Sequence, residues 1–174
     1  MEAIVTDQKD IHEQCCAAFG NVTFYQDEMV SLFHLYRLQR ILDESLHKQV
    51  WLKSGGYLVI EPTEALTVID VNTGKYSGKK NLRETLLKIN LEAAKEVARQ
   101  LRLRNLTGII IVDFIDMKEE EDQKQLMQAL RSYAASDTVK TTVVDMTALN
   151  LVEITRKKGK RPLYEQLNYV QERR

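Results

Sequence analysis

Two apolar runs that each carry an aspartate set the tightest limit on what this chain can fold into. Residues 108–117 read GIIIVDFIDM and residues 65–74 read ALTVIDVNTG. Both are rich in β-branched residues and predict strands. The first is continuously apolar, the pattern of a strand buried on both faces. Between them lie Leu82, Leu86, Ile89, Ala93, Val97 and Leu101, spaced 4, 3, 4, 4 and 4 apart. That spacing predicts an amphipathic helix over residues 81–104, with Asn81 as its cap and Gly108 as its stop signal. Strand, helix, strand in that order calls for a sheet covered by helices.

The flanking sequence extends this pattern. VWLKSGGYLVIEP adds two extended runs before ALTVIDVN, separated by Ser54-Gly55-Gly56 and Pro62-Thr63-Glu64. Both separators are turn chemistry, which predicts an antiparallel meander. Downstream, Asp116 opens a predicted helix reaching residue 134, with Glu119 three residues later as a capping box requires. VKTTVVDM reads as a further strand, residues 148–155 carry no assigned element, and the chain ends in a short helix. The first fifty residues predict strands at 3–6 and 22–25 and helices at 9–19 and 30–48. The second helix carries Leu32, Leu35, Tyr36, Leu38, Ile41, Leu42 and Leu46 as one broad apolar face. The fold class expected is α/β: a mixed sheet with an antiparallel meander and flanking helices.

Composition narrows the chemistry. The chain has 174 residues, enough for one domain or one domain plus a fragment. Lys+Arg 25 balances Asp+Glu 25, so binding to a polyanion must come from local clustering. No run approaches the roughly 20 apolar residues that span a bilayer, and Met1 starts no signal-like segment. Cys15 and Cys16 are adjacent, a poor geometry for a disulfide and a poor zinc site, so free thiols in a cytoplasmic protein are expected. His12, His34 and His47 share no ligand spacing, and neither a Ser–His–Asp set nor a Gly-rich phosphate loop is visible.

The aspartates are the more informative residues. Alternation along a strand places Val68, Asp70 and Asn72 on one face and Ile69 and Val71 on the other. Asp113 points with Ile111 and Ile115, where an uncompensated charge would be costly. A basic side chain, a hydrogen-bond network or a bound cation could each compensate it. Asp70 and Asn72 also suit a turn at Thr73-Gly74, because Asx residues favour such turns. If Asp70 and Asp113 meet, their oxygens and the Asn72 amide oxygen form a hard cradle suited to Mg²⁺ or Mn²⁺. Asp116 and Asp145 have simpler roles as helix or segment caps. RKKGKR supplies Arg156, Lys157, Lys158, Lys160 and Arg161, a run that is normally solvated but in a neutral chain is where phosphates would dock. Arg102 and Arg104 suit the negative end of a helix dipole. Tyr57, Tyr76 and Tyr133 could stack bases, although isolated tyrosines more often belong to a core or its rim.

Together, GGYLVIEPTEALTVIDVNTG and NLEAAKEVARQLRLRNLTGIIIVDFIDM strongly resemble the catalytic core of the bacterial ribonuclease E/G family. The match covers residues 50–167 well and the first fifty more loosely. The resemblance implies that Asp70 and Asp113 coordinate a catalytic Mg²⁺ and that Asn72 assists them. It implies hydrolysis of single-stranded RNA to 5′-phosphate and 3′-hydroxyl ends, in RNA processing and decay. It also implies a partial RNase H-like subdomain over residues 1–45 and a DNase I-like catalytic subdomain over residues 46–174. Lys140 aligns with a basic position near the family's active site. The family's S1 domain, 5′-phosphate sensor and CPxCxG zinc link have no counterpart in these 174 residues. A fragment of a longer, homo-oligomeric enzyme is therefore expected, without zinc. The alternative is a scaffold or oligomerisation module, inactive without its S1 and sensor domains.

Overall fold

The computed structural model describes residues 3–74 and 82–171, with side chains described as far as Leu167. The expected cap Asn81 and the aromatic Tyr76 lie outside the described residues. The chain divides into two compact units, Met1–Ser45 and Leu46–Arg174.

In the first unit, β1 (Ile4–Thr6) and β2 (Val22–Phe24) pair in parallel, joined by helix α1 (Lys9–Phe19). Cys15 and Cys16 are free thiols on α1, with Cys16 Sγ 3.4 Å from His12 Nε2. The single helix expected over residues 30–48 is two: α2 (Leu32–Leu35) and α3 (Leu38–Leu46). They are parted at Arg37, which takes φ 51. Neither glycine nor proline marks that break, so helical periodicity runs through it unaltered.

The second unit holds a six-stranded sheet in the order β3-β4-β5-β6-β8-β7. Its members are β3 (Gln49–Trp51), β4 (Tyr57–Pro62), β5 (Leu66–Asn72), β6 (Gly108–Asp113), β7 (Thr141–Met146) and β8 (Leu151–Arg156). The meander β3-β4-β5 is antiparallel as expected, β5 and β6 are the one parallel pair, and β8 is antiparallel to both its neighbours. The parallel pair follows from the crossover through α4 (Leu82–Leu103), because parallel neighbours cannot be joined by a tight turn. Helix α5 (Glu120–Ala135) leads into β7, and α6 (Leu163–Gln171) closes the chain.

Both long helices cover the same side of the sheet. Ile89, Ala93, Val97 and Leu101 of α4 and Leu126 and Leu130 of α5 are buried with Leu58, Ile60, Ile69, Val71, Ile110, Val112, Val152 and Ile154. The alanines at 93, 94 and 98 keep α4 close to the strands. The opposite face is open, so β6 is covered on one side only and Ile109 is 50% exposed. The continuous apolar run therefore does not mark a strand buried twice.

Three further expectations are corrected. Residues 148–155, which the sequence pattern assigns to no element, hold a strand: after the turn at 148–150, where Asn150 takes φ 62, β8 runs between β6 and β7. Asp145 caps no helix but accepts from Met146 N–H at 2.9 Å beside a register shift in β7. Asp116 does not open α5, which starts four residues later with Glu119 as N-cap. Instead Asn90, fully buried on α4, donates to Ile115 O at 2.7 Å and accepts from Ile115 N–H at 3.1 Å. That pair of bonds holds residues after Asp113 in extended form and delays the helix.

Gly108 does not end α4. Asn105 does, at φ 47, with Asn105 N–H donating to Arg102 O (3.2 Å) and Leu106 N–H to Leu101 O (3.0 Å). This double closure is the Schellman arrangement, with asparagine in the left-handed position.

Candidate functional site

The open face of the sheet carries the candidate site. Its residues come from strand alternation: Ile69, Val71 and Val112 turn inward, so Asp70, Asn72 and Asp113 turn outward. Asp70 and Asp113 are direct partners in the parallel β5–β6 register. Neighbouring strands lie about 4.8 Å apart, so the two carboxylates project side by side. Asp113 is not enclosed among apolar side chains as expected. It is the last residue of β6, on the uncovered face, and its side chain is exposed.

The cradle is fixed from several sides. Asn72 Nδ2 donates to Asp70 Oδ2 at 2.7 Å, which leaves the Asn72 amide oxygen for another partner. Gly74 follows at φ 65, and a Cβ there would meet Gly55 O at van der Waals overlap. A Cβ at Gly56 would lie 2.8 Å from Asn72 O. The Ser54-Gly55-Gly56 turn therefore packs directly against the end of β5, and both glycines are required by that close approach. Glu92 on α4 accepts from Lys53 N–H at 2.7 Å and Ser54 N–H at 3.1 Å, holding the turn in place. Asn90 does the same for the segment after Asp113. Sequence reasoning missed both α4 residues; the available signal was polar side chains beside an apolar helical stripe.

Charge at this end is left uncompensated among the described residues. Partial desolvation at the end of β6 pushes the Asp113 carboxyl above its ordinary value, and the nearby Asp70 and Asp116 carboxylates push it further. No described basic side chain pairs with Asp70 or Asp113. Two carboxylates and an amide oxygen on one face form a hard-oxygen donor set that suits a Mg²⁺-class cation. Among the described residues no cluster of three or more His, Cys, Asp and Glu gathers as a complete ligand set. The remaining positions would then fall to water and substrate oxygens, the usual habit of Mg²⁺.

The basic residues lie at the other end of the sheet. Gly108 of β6 pairs with Arg156 of β8, which pairs with Thr141 of β7, whereas Asp113 pairs with Leu151. Five residues of strand separate the two ends, about 16 Å. Lys140, Lys157, Lys158, Lys160 and Arg161 are exposed near that far end. Lys158, Lys160 and Arg161 line a 380 Å³ cavity there with Leu66, Gly108 and Tyr164. Lys140 is thus not beside the carboxylates.

Arg156 departs from the basic run altogether. It is 4% exposed, and its guanidinium donates to Asp137 Oδ2 at 2.7 Å, Asn105 Oδ1 at 2.8 Å and Leu106 O at 3.2 Å. The inward phase of β8, which also buries Val152 and Ile154, takes this cation into the core and removes it from any surface role. Arg104 is buried too, donating to Gln100 Oε1 and His47 O, and so serves packing at the end of α4.

Comparison with known proteins adds a second line of observation. The profile described as the Ribonuclease E/G family matches residues 1–159. The chain is 48% identical over 138 residues to ribonuclease E of Synechocystis, covering 79% of this chain and 20% of that protein. It is 41% identical over 174 residues to ribonuclease G of Haemophilus influenzae, covering 92% of this chain and 35% of that protein. With ribonuclease G of Escherichia coli it shares 47% identity over 127 residues, 73% of this chain and 26% of that protein. The chain thus spans between a fifth and about a third of the length of these relatives.

Proposed function

From the premise that the chain belongs to the ribonuclease E/G family, we propose that it is the catalytic core of a Mg²⁺-dependent endoribonuclease acting on single-stranded RNA. The observation that carries this reading is the register of Asp70 against Asp113 on the open face. Asp70 and Asp113 would hold the ion, with Mn²⁺ as a substitute, and Asn72 would keep the Asp70 carboxylate oriented through its 2.7 Å bond. Bound there, the ion supplies charge neutralisation at a phosphoryl oxygen and lowers the pKa of a water. The raised affinity of Asp113 for a proton comes first from desolvation and then from the Asp70 and Asp116 carboxylates, and that second part is the negative charge that favours a cation. Hydrolysis then adds a water oxygen to phosphorus, breaks the P–O3′ bond and leaves a 5′-phosphate and a 3′-hydroxyl. Residues 1–45 and 46–174 would correspond to partial RNase H-like and DNase I-like subdomains. Lys140, Lys157, Lys158, Lys160 and Arg161 would hold the RNA backbone away from the cut, in a cytoplasmic enzyme of RNA processing.

Asp70→Asn and Asp113→Asn test this directly. Each should reduce Mg²⁺-dependent cleavage of end-labelled single-stranded RNA at least about a hundredfold, with unchanged circular dichroism, in a full-length family member carrying this segment. Mn²⁺ binding by this chain, followed by electron paramagnetic resonance, should weaken in the same variants. Cleavage that persists in either variant would remove the metal assignment. Robust turnover of a short oligonucleotide by this chain alone would remove the alternative reading as a scaffold or oligomerisation module.

A further inference from the structure

The open face extends past the carboxylates to a second feature that the cleavage chemistry does not use. Trp51, on the edge strand β3, is 66% exposed and pairs in register with Tyr57 on β4. Tyr57 pairs in turn with Asn72 on β5. Because Val50, Leu58 and Val71 of the same strands turn toward the core, Trp51, Tyr57, Asn72 and Asp70 all stand on the open face. The two rings meet at 5.1 Å between centroids and 56° between planes. Tyr57 thus supports the indole from one side and leaves it open to solvent. From strand spacing and rise, Trp51 lies about 12 Å from Asp70.

We infer that Trp51, backed by Tyr57, is a stacking platform for a base of the single-stranded RNA, one nucleotide or so from the scissile phosphate. The inference rests on the proposed cleavage at Asp70 and Asp113 and deepens it by naming what grips the substrate beside the cut. A lone exposed tryptophan needs no special account. This one is supported by a second ring, stands in hydrogen-bonded register with the candidate site, and lies on the sheet edge where a strand of nucleic acid can approach. Indole and phenol have few rotatable bonds, so little freedom is lost when a base settles on them. Stacking accepts any base because each has a π-face, and it requires an unpaired base. The platform therefore selects single strands over duplexes without selecting sequence. The basic residues about 16 Å away along the strands are too far to position the same nucleotide. A local base contact supplies what they cannot.

Trp51 is the chain's single tryptophan, so its fluorescence reports on this position alone. The test titrates this chain, in EDTA to prevent cleavage, with a fluorescein-labelled oligouridylate, reading both label anisotropy and Trp51 emission. The expected result is a rise in anisotropy with saturable quenching of Trp51 in step. An RNA duplex of the same length, or a strand with abasic riboses, should leave the emission unquenched. Trp51→Ala should weaken oligouridylate binding about tenfold, within the range of roughly fivefold to 150-fold typical of a lost stacked base, while Trp51→Phe should retain most of it. If anisotropy rises and Trp51 emission stays constant, or if Trp51→Ala binds as tightly as the parent, the platform is overturned while cleavage at Asp70 and Asp113 stands. If neither signal changes, the platform is overturned as well. The separate loss of cleavage in Asp70→Asn then decides the proposed function by itself.

Discussion

Asp113, at the end of β6, and Asp137, in the connection between α5 and β7, have opposite surroundings. At the far end of the sheet, Asp137 accepts from Arg156 Nε at 2.7 Å, Val139 N–H at 2.9 Å and the Thr141 hydroxyl at 2.8 Å. Both side chains of that ion pair are only 3% exposed. Burial alone would raise the Asp137 carboxyl, but the Arg156 guanidinium and the two other donors overcome it and hold the group at about 2. At the near end, desolvation raises Asp113 with no counter-ion among the described residues to offset it, and its two carboxylate neighbours raise it further. One end of the sheet uses its charge for cohesion. The other keeps its charge unpaired among the described residues, at a standing electrostatic cost that a cation would relieve.

The contrast is broken most severely at Arg156. Arg156→Ala should destabilise the protein by about 3–5 kcal/mol, because it leaves the Asp137 carboxylate buried without its counter-ion. Urea unfolding followed by circular dichroism would measure it, and a loss below about 1 kcal/mol would show that the pair does not anchor the sheet. Next in size is the acid limb. Asp137 binds its proton less readily folded than unfolded, so its contribution is complete above the ordinary carboxylate value of 3.8 and disappears as pH falls toward about 2. That difference amounts to about 2 kcal/mol. An Asp137→Asn variant should lack this part of the acid limb while being less stable at neutral pH.

The surface cations sharpen the distinction between the two ends. Replacing Lys157, Lys158 and Lys160 by Gln should flatten the salt dependence of RNA binding by up to roughly 0.7 per lost phosphate contact. Metal affinity at Asp70 and Asp113 should stay constant, because the lysines lie at the opposite end of the strands. The smallest expected effect has the opposite sign to Arg156→Ala. A raised carboxyl binds its proton more tightly in the folded state, so its charged form penalises folding at neutral pH. Asp113→Asn should therefore stabilise the chain, by a few tenths of a kcal/mol after solvent screening. Destabilisation in the same unfolding assay would mean that Asp113 is held by contacts that outweigh its like-charged neighbours.

Much of this fold can be read from local sequence patterning. The meander, the long α4 and the outward phase of Asp70 and Asn72 follow from period-2 and period-3.6 alternation, which depends only on local geometry. Strand β8 is legible in principle, since Val152 and Ile154 alternate with Leu151, Glu153 and Thr155, but its short run beside the turn at Asn150 masks it. The split at Arg37 and the delayed start of α5 are not legible. The first lacks a glycine or proline, and the second depends on Asn90 reaching across to Ile115, 25 residues away.

The sequence by itself determined that two apolar strands would each carry an aspartate and that the second unit would be an α/β layer. It could not decide that β5 and β6 are neighbours in parallel register, because strand order is set by how α4 and α5 pack together on one side of the sheet. That packing decides which face stays open, and so turns Asp113 from an expected interior charge into an exposed partner of Asp70. It also takes Arg156 from a basic run into the core. One row of residues with a common charge in the sequence is divided by burial into a structural cation and a set of exposed ones, a distinction that exists only once the helices cover one side of the sheet.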